Sequence, residues 1–272
     1  MVSTYAPVVP ILRAERSNGS RPTEDRIFTT KNAVMVLDGA SQPEPTERNG
    51  AWIADQLGAD LAKRLSSQPH LDLGEALESS IRQVTQQYEI RPNQSPSTTV
   101  AMVRWDASMV DVLVLCDSPV VVVDRSNGFH FIRDDRLDAI GKGDRPAIGF
   151  RTENPELWKE LVDFQRSRRN QPEGYWVAEA VPEAARHAIR ASFPFDEVAM
   201  ILAMTDGVSA GVDCYGVPAD WQTAVDIAAN EPAKLLDLVH STEASDPEGR
   251  RWPRSKCHDD KAIAVLRFDL AT

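Results

Sequence analysis

Residues 24–39 read EDRIFTTKNAVMVLDG. Two short runs rich in branched and aromatic residues, 27–30 and 33–37, flank Lys31-Asn32, a polar pair suited to a two-residue hairpin loop. With that loop Thr30 faces Ala33, Phe28 faces Met35 and Asp25 faces Asp38. Glu24-Asp25 precede the first strand and Asp38-Gly39 follow the second, so carboxylates meet at one strand end. Like charges within ~4 to 6 Å repel and raise each other's pKa, so such a group requires a cation or a proton to neutralise it.

The same placement recurs further along. Asp206-Gly207 end the apolar run 198–205, and Asp259-Asp260 open a last strand over 262–270; antiparallel pairing of these two would set their acids side by side. A lone acid at a strand end is an ordinary turn former or helix cap. Repetition, with glycine directly after Asp38 and Asp206, points instead to a divalent metal. Oxygen-only ligands favour Mg²⁺ or Mn²⁺ over Zn²⁺, since no Cys or His pair accompanies them. The glycine would let its own carbonyl approach the ion without a Cβ in the way.

Working outward, a strand is predicted over 5–12, and helices over 49–65 and 73–88 from apolar positions such as Ile53, Leu57, Leu61 and Leu65 at helical spacing. Strands follow at 98–104, 109–116, 120–124 and 129–133, the last two joined across Ser126-Asn127-Gly128, and the block reads as an antiparallel meander. Residues 134–175 are polar and charged, with a helix over 155–166 and the basic string Arg166, Arg168, Arg169; they read as a mobile insertion. Strands at 175–178, 188–193 and 198–205 come next, then helices at 221–229 and 233–240, a polar loop over 241–256 and the last strand. The order is that of a mixed, mostly antiparallel α+β fold. With no internal repeat and no linker-like stretch, a single domain over 1–272 is expected.

Composition narrows the function. The 272 residues are 42% hydrophobic and 26% charged, enough for a full core. Thirty basic against 41 acidic residues leave 30 − 41 = −11, a field that repels polyanions and disfavours nucleic acid as a partner. Three cysteines, an odd number without a CxxC pair, argue against a disulfide framework or a zinc ribbon and for a reducing cytoplasm. Neither a signal-like N-terminus nor a run near ~18 apolar residues occurs, so a soluble protein without a membrane partner is expected.

Taken in order, the motifs resemble those of the metal-dependent PP2C (PPM) family of protein serine/threonine phosphatases, bacterial type. Glu24-Asp25-Arg26 is similar to its first acidic motif, Val36-Leu37-Asp38-Gly39 to its second and Ser97-Thr98-Thr99-Val100 to its central segment. Cys116-Asp117-Ser118, Met204-Thr205-Asp206-Gly207 and Asp259-Asp260 resemble the remaining three, and together they cover residues 20–268. The resemblance implies a four-layer α-β-β-α sandwich of two antiparallel sheets flanked by helices, with 134–175 as a flap beside the site. It implies two Mg²⁺ or Mn²⁺ ions that activate a water against phosphoserine or phosphothreonine in a phosphorylated protein substrate. Asp38 would bridge the ions, Asp206 and Asp259 would complete one shell, and Glu24 with the Gly39 carbonyl would hold the other. Asp25 is counted with Glu24 among the metal ligands, and Asp117 resembles the acid that supports a third ion in bacterial members. Asp38, Asp206 and Arg21 take the catalytic roles, Arg21 as the phosphate-binding residue.

Several positions depart from the family pattern. Ala40-Ser41-Gln42 follow Asp38-Gly39 where many members carry His or Met and a Gly pair, which removes the proposed general acid and leaves His258 or a metal-bound water. Arg21 lies about one residue closer to the first acidic motif than is usual. Cys116 stands in place of a glycine and reads as a buried small hydrophobe, and Pro119 replaces the residue after Ser118. His258 reads as a solvated loop histidine, the Arg166–Arg169 string as a solvated helix end, and Ser97, Thr98 and Thr99 as structural hydrogen bonders. An active phosphatase is the first reading. The alternative is a catalytically weak PP2C-like regulatory or binding domain; hydrolysis of small phosphoesters ranks third.

Overall fold

The computed structural model describes residues 6–19, 21–40, 47–140, 150 and 153–268. Its strands are β1 (Ile11–Arg16), β2 (Asp25–Thr29), β3 (Ala33–Asp38), β4 (Val100–Trp105), β5 (Met109–Leu115), β6 (Val120–Asp124), β7 (Phe129–Ile132), β8 (Ile189–Pro194), β9 (Val198–Met204) and β10 (Lys261–Arg267). They form two five-stranded sheets, ordered β1-β10-β9-β6-β7 and β2-β3-β4-β5-β8, and every pairing is antiparallel.

Period-two side-chain alternation builds the layers. In β3, Val34 and Val36 face the opposite sheet, whereas Ala33, Met35 and Leu37 face helices α1 (Gly50–Ser67) and α2 (Leu73–Tyr88). In β10, Ala262, Ala264 and Leu266 face inward, and Ile263 and Val265 face the helical pair on the other side. Strands buried on both faces are therefore near-continuous apolar runs, as in VAMILAM of β9. Helix α1 starts where Asn49 accepts the Trp52 N–H at 3.0 Å and buries Ile53, Leu57, Leu61 and Leu65 along one stripe. Asp72 caps α2 in the same way, accepting from Gly74 and Glu75.

The remaining helices are α3 (Arg136–Ala139), α4 (Pro155–Arg168), α5 (Asp206–Ala210), α6 (Trp221–Asn230) and α7 (Pro232–Ala244). Helices α6 and α7 cover the first sheet through Ala224, Val225, Leu235 and Leu236. The four-layer α-β-β-α sandwich is thus present. Among the described residues no helix is long and apolar enough to cross a membrane.

The structure corrects several boundaries. The first strand begins at Ile11 rather than at 5: Pro7 and Pro10 have no N–H for a ladder, and Tyr5 lies outside the described residues. Residues 98–133 are not one meander, because β4 and β5 belong to one sheet and β6 and β7 to the other. The chain crosses between sheets at 116–119, where Cys116 takes φ of 68° and Pro119 brings no N–H. Residues 175–178 form only isolated bridges, Arg169 to Tyr175 and Thr98 to Ala178. The expected loop 241–256 is helical to Ala244, since Thr242 and Glu243 are buried polar residues with partners rather than solvated ones. Short helices at Pro182–His187 and α5, which runs into a π-turn at Gly211–Tyr215, carry too few periodic apolar residues to be read in advance. Part of the expected insertion, 141–149 and 151–152, and the strand end at 269–270 lie outside the described residues.

Candidate active site

The hairpin has the register expected of a two-residue loop: Thr30 N–H donates to the Ala33 carbonyl at 2.8 Å, Phe28 pairs with Met35 and Asp25 with Asp38. In the other sheet Thr205 N–H donates to the Ala262 carbonyl at 3.0 Å, continuing the β9–β10 ladder to the point where Asp206 leaves one strand and Asp259-Asp260 enter the other. The two strand ends meet through one hydroxyl. Thr205 Oγ1 donates to Asp25 Oδ2 at 2.9 Å and accepts from the Ala262 N–H at 3.0 Å. Asp260 adds a second tie, accepting the Asn18 N–H at 2.7 Å and the Glu24 N–H at 3.1 Å.

The glycines after the acids are required by packing. A Cβ on Gly207 would lie 2.1 Å from the Asp260 carbonyl oxygen, and one on Gly39 would lie 2.3 Å from the Gly50 carbonyl carbon. Neither space exists. This backbone-against-backbone packing is a demand on the two glycines separate from the carbonyl's expected approach to a metal.

Above this junction opens a cleft of about 380 Å³, with Asp38, Gly39, Asp117, Asp206 and Asp259 in its lining and Arg169, Tyr175, Tyr215 and Lys256 around them. Asp25 is fully buried. Burial, then the charges of Asp259, Asp260 and Asp206, raise its carboxyl well above the usual range, against the opposing Thr205 hydrogen bond. Burial and then Asp25, Asp206 and Asp259 do the same to Asp38. Burial, Asp259 and Asp117 push Asp206 up to about 7, although a hydrogen bond with Asp38 pulls the other way. Burial pulls the Lys256 ammonium down, but the charge of Asp259 and its hydrogen bond, with Asp38 and Asp206 behind them, raise it overall. Asp25 Oδ1 is buried and has no hydrogen-bond partner. An orphaned carboxylate oxygen among mutually repelling acids, all of them hard oxygen donors, fits a divalent cation such as Mg²⁺ or Mn²⁺.

The expected residues fall into three places. Asp38, Gly39, Asp117, Asp206 and Asp259 line the cleft, and Asp25 packs at its base. Glu24 is buried beside them, and Arg21 Nη2 donates to Glu24 Oε2 at 2.7 Å. Arg21 and Glu24 are not in the cleft lining. Ser97, Thr98 and Thr99 make structural hydrogen bonds: the Ala40 N–H donates to the Ser97 carbonyl at 2.9 Å, Thr98 Oγ1 donates to the Asp38 carbonyl at 2.9 Å, and Thr99 Oγ1 accepts the Asp38 N–H at 3.1 Å. Cys116 is buried against Tyr175 and Val177. Of the altered loop after Asp38, Ser41 and Gln42 lie outside the described residues.

Two side chains were misread as solvated. His258 stacks on His240 with ring centroids 3.8 Å apart, and its Nδ1 lies 3.0 Å from Glu243 Oε2, away from the cleft lining. Arg169 is largely buried between Tyr175 and Glu179, with its Nε 3.3 Å from the Tyr175 hydroxyl, and it reaches the cleft wall. The sequence reading gives Lys256 no role, and Thr205 only a place in its motif. For Lys256 a signal was present, since it stands three residues before Asp259.

No protein-family profile matches the chain, and no curated protein sequence does. Solved structures do. The Mycobacterium tuberculosis serine/threonine phosphatase PstP/Ppp is 16% identical over 97% of this chain and 100% of its own, with a TM-score of 0.62. The serine/threonine phosphatase Stp1 from Staphylococcus aureus is 11% identical over 99% of both chains, with a TM-score of 0.61. The catalytic domain of PstP in complex with two manganese ions is 16% identical over 96% of this chain and 98% of its own, at a TM-score of 0.58. At such identities the likeness is one of architecture: along nearly its whole length the chain has the PP2C (PPM) fold of bacterial serine/threonine phosphatases.

Proposed function

We propose that the chain is a Mg²⁺- or Mn²⁺-dependent protein serine/threonine phosphatase that hydrolyses phosphoserine and phosphothreonine in cytoplasmic protein substrates. The observation that carries this reading is the convergence of Asp25, Asp38, Asp206 and Asp259 at one strand junction, with Asp25 Oδ1 buried and unpartnered. A fold gains nothing from burying acids that raise one another's pKa unless a ligand uses them.

In this reading Asp38, Asp206, Asp259, Glu24, Asp25 and the Gly39 carbonyl would hold two ions, and Asp117 would serve a third. When bound, the ions lower the pKa of a water near neutrality and offset the phosphoester's negative charge. The chain's own residues set the geometry. Thr98 and Thr99 fix the Asp38 backbone from both its carbonyl and its N–H, so the carboxylate is presented on a rigid strand end. Ser118 Oγ, 2.5 Å from Thr99 Oγ1, braces that contact from the crossing segment beside Asp117. Arg21 is the phosphate-binding residue of this reading. Its engagement with Glu24, outside the cleft lining, is the observation that favours the catalytically weak binding domain instead.

Hydrolysis of p-nitrophenyl phosphate and of a phosphothreonine peptide, measured with EDTA, Mg²⁺ or Mn²⁺, tests the reading, with Asp38→Asn as control. Turnover that requires metal and is lost in the variant is expected. Metal binding without turnover would support the binding domain, and metal-independent turnover would overturn the metal site.

A further inference from the structure

Lys256 is a feature of the cleft that the phosphatase reading does not use. Its Nζ lies 2.5 Å from Asp259 Oδ1, and its charge also acts on Asp38 and Asp206. The same Asp259 oxygen accepts the Asp260 N–H at 2.8 Å, so it is occupied twice. The backbone that carries the lysine is held: two residues earlier Arg254 donates to the Cys257 carbonyl at 3.0 Å, the Glu243 carbonyl at 2.9 Å and Asp246 Oδ2 at 3.0 Å. The lysine side chain is not held in that way. About a third of it remains exposed in the cleft, and four rotatable bonds separate its anchored Cα from its ammonium.

We infer that Lys256 is a tethered cation that occupies the acidic cluster when no metal is bound and must swing out of it for a divalent ion to enter. The inference rests on the reading of these acids as metal ligands. An ammonium and a divalent ion competing for one carboxylate oxygen would sit within about 4 Å of each other, where like charges repel strongly at the effective dielectric of a partly buried site. The two states exclude each other. Metal affinity is then multiplied by the fraction of molecules in which the lysine has left, so it falls below the intrinsic value, as for any ligand that selects a minor conformer. The protein gains a stable metal-free fold and a threshold of free divalent ion below which the site stays closed by its own side chain.

Mn²⁺ binding measured by titration calorimetry on wild type, Lys256→Met, Lys256→Gln and Lys256→Arg tests this without reference to turnover. The two neutral variants should bind Mn²⁺ roughly tenfold more tightly or better, a change of about 1.4 kcal/mol, and the arginine variant, which keeps the charge, should stay within about twofold of wild type. Equal affinities in all four would overturn the tether and leave the metal site standing. No binding in any, with Asp206→Asn equally silent, would overturn both. A measurement on the unaltered protein covers the case of a variant that fails to fold. Acylation of Lys256 by an amine-reactive ester, read by mass spectrometry, should rise several-fold between EDTA and saturating Mn²⁺. Unchanged labelling would refute the displacement.

Discussion

Two groups of buried charge lie on either side of the segment Asp259–Lys261, and they are opposites. On one side Asp25, Asp38, Asp206 and Asp259 face one another with Lys256 as a counter-charge. On the other, Glu243 receives the Lys261 ammonium at 2.8 Å, His258 Nδ1 at 3.0 Å and the Tyr215 hydroxyl at 3.4 Å, while Lys261 also donates to the Asp259 carbonyl at 2.9 Å. The second group is matched and therefore structural. The first is mismatched, with more buried negative charge than the one ammonium beside it offsets. The contrast also argues against a metal at His240, Glu243 and His258, whose ligand atoms lie within 4.8 Å of one another. Lys261 already holds the carboxylate, and the two imidazoles stack at an interplanar angle of 11°, so their in-plane lone pairs run side by side instead of converging.

Removing one partner from each group should have opposite effects. Lys261→Met leaves Glu243 buried without its cation and should cost about 3 to 5 kcal/mol in urea unfolding. Asp206→Asn, in EDTA, relieves repulsion and should leave stability unchanged or raised; equal losses in the two variants would erase the distinction. Turnover gives the next effect. Asp38→Asn and Asp206→Asn should each lower metal-saturated hydrolysis by roughly 100-fold or more, the scale for a lost charge-stabilising group, whereas activity near wild type would release these acids from the site.

Acidity separates the groups more gently, with opposite signs. Asp206 rises from 3.8 to about 7 on folding, so the metal-free fold binds more protons than the unfolded chain in that interval. Its contribution is complete at low pH and is lost as pH climbs through about 7. His240 falls from 6.5 to about 4, through burial and then the positive charges of His258, Arg16 and Lys261. Its contribution is present above 6.5 and is lost as pH drops through about 4. In Tm scans with EDTA, Asp206→Asn should flatten the alkaline decline and His240→Gln the acid one; a slope that each variant leaves untouched would assign it to other groups. The smallest effect is that of Arg21→Ala. Its guanidinium is exposed although Glu24 is buried, so water can take its place and stability should change by less than about 1 kcal/mol, while KM for a phosphopeptide should rise. An unchanged KM would point to another phosphate-binding residue.

The hairpin was legible because a two-residue loop and a side-chain period of two leave one register, and that register alone pairs Asp25 with Asp38. The apolar runs of β3, β9 and β10 were legible for a related reason, since burial on both faces demands unbroken hydrophobicity. The matched charge group was invisible. Glu243, His258 and Lys261 look in one dimension like any polar loop, and only the packing of α7 against β1 and β10 shows that each has a partner. Lys256 was hidden by the same polar stretch. The passage between sheets at Cys116 was missed because a left-handed residue that is not glycine leaves no mark in composition.

Gly39 and Gly50 constrain what the chain can inherit. Each would drive a Cβ to within 2.4 Å of the other's backbone, so the strand that delivers Asp38 and the helix that covers it touch through two residues with no side chain to give up. Most tight contacts can drift over generations, one partner growing as its neighbour shrinks. Here nothing is left to shrink, and a saturation library should find both positions closed, with no second substitution at either one restoring the other.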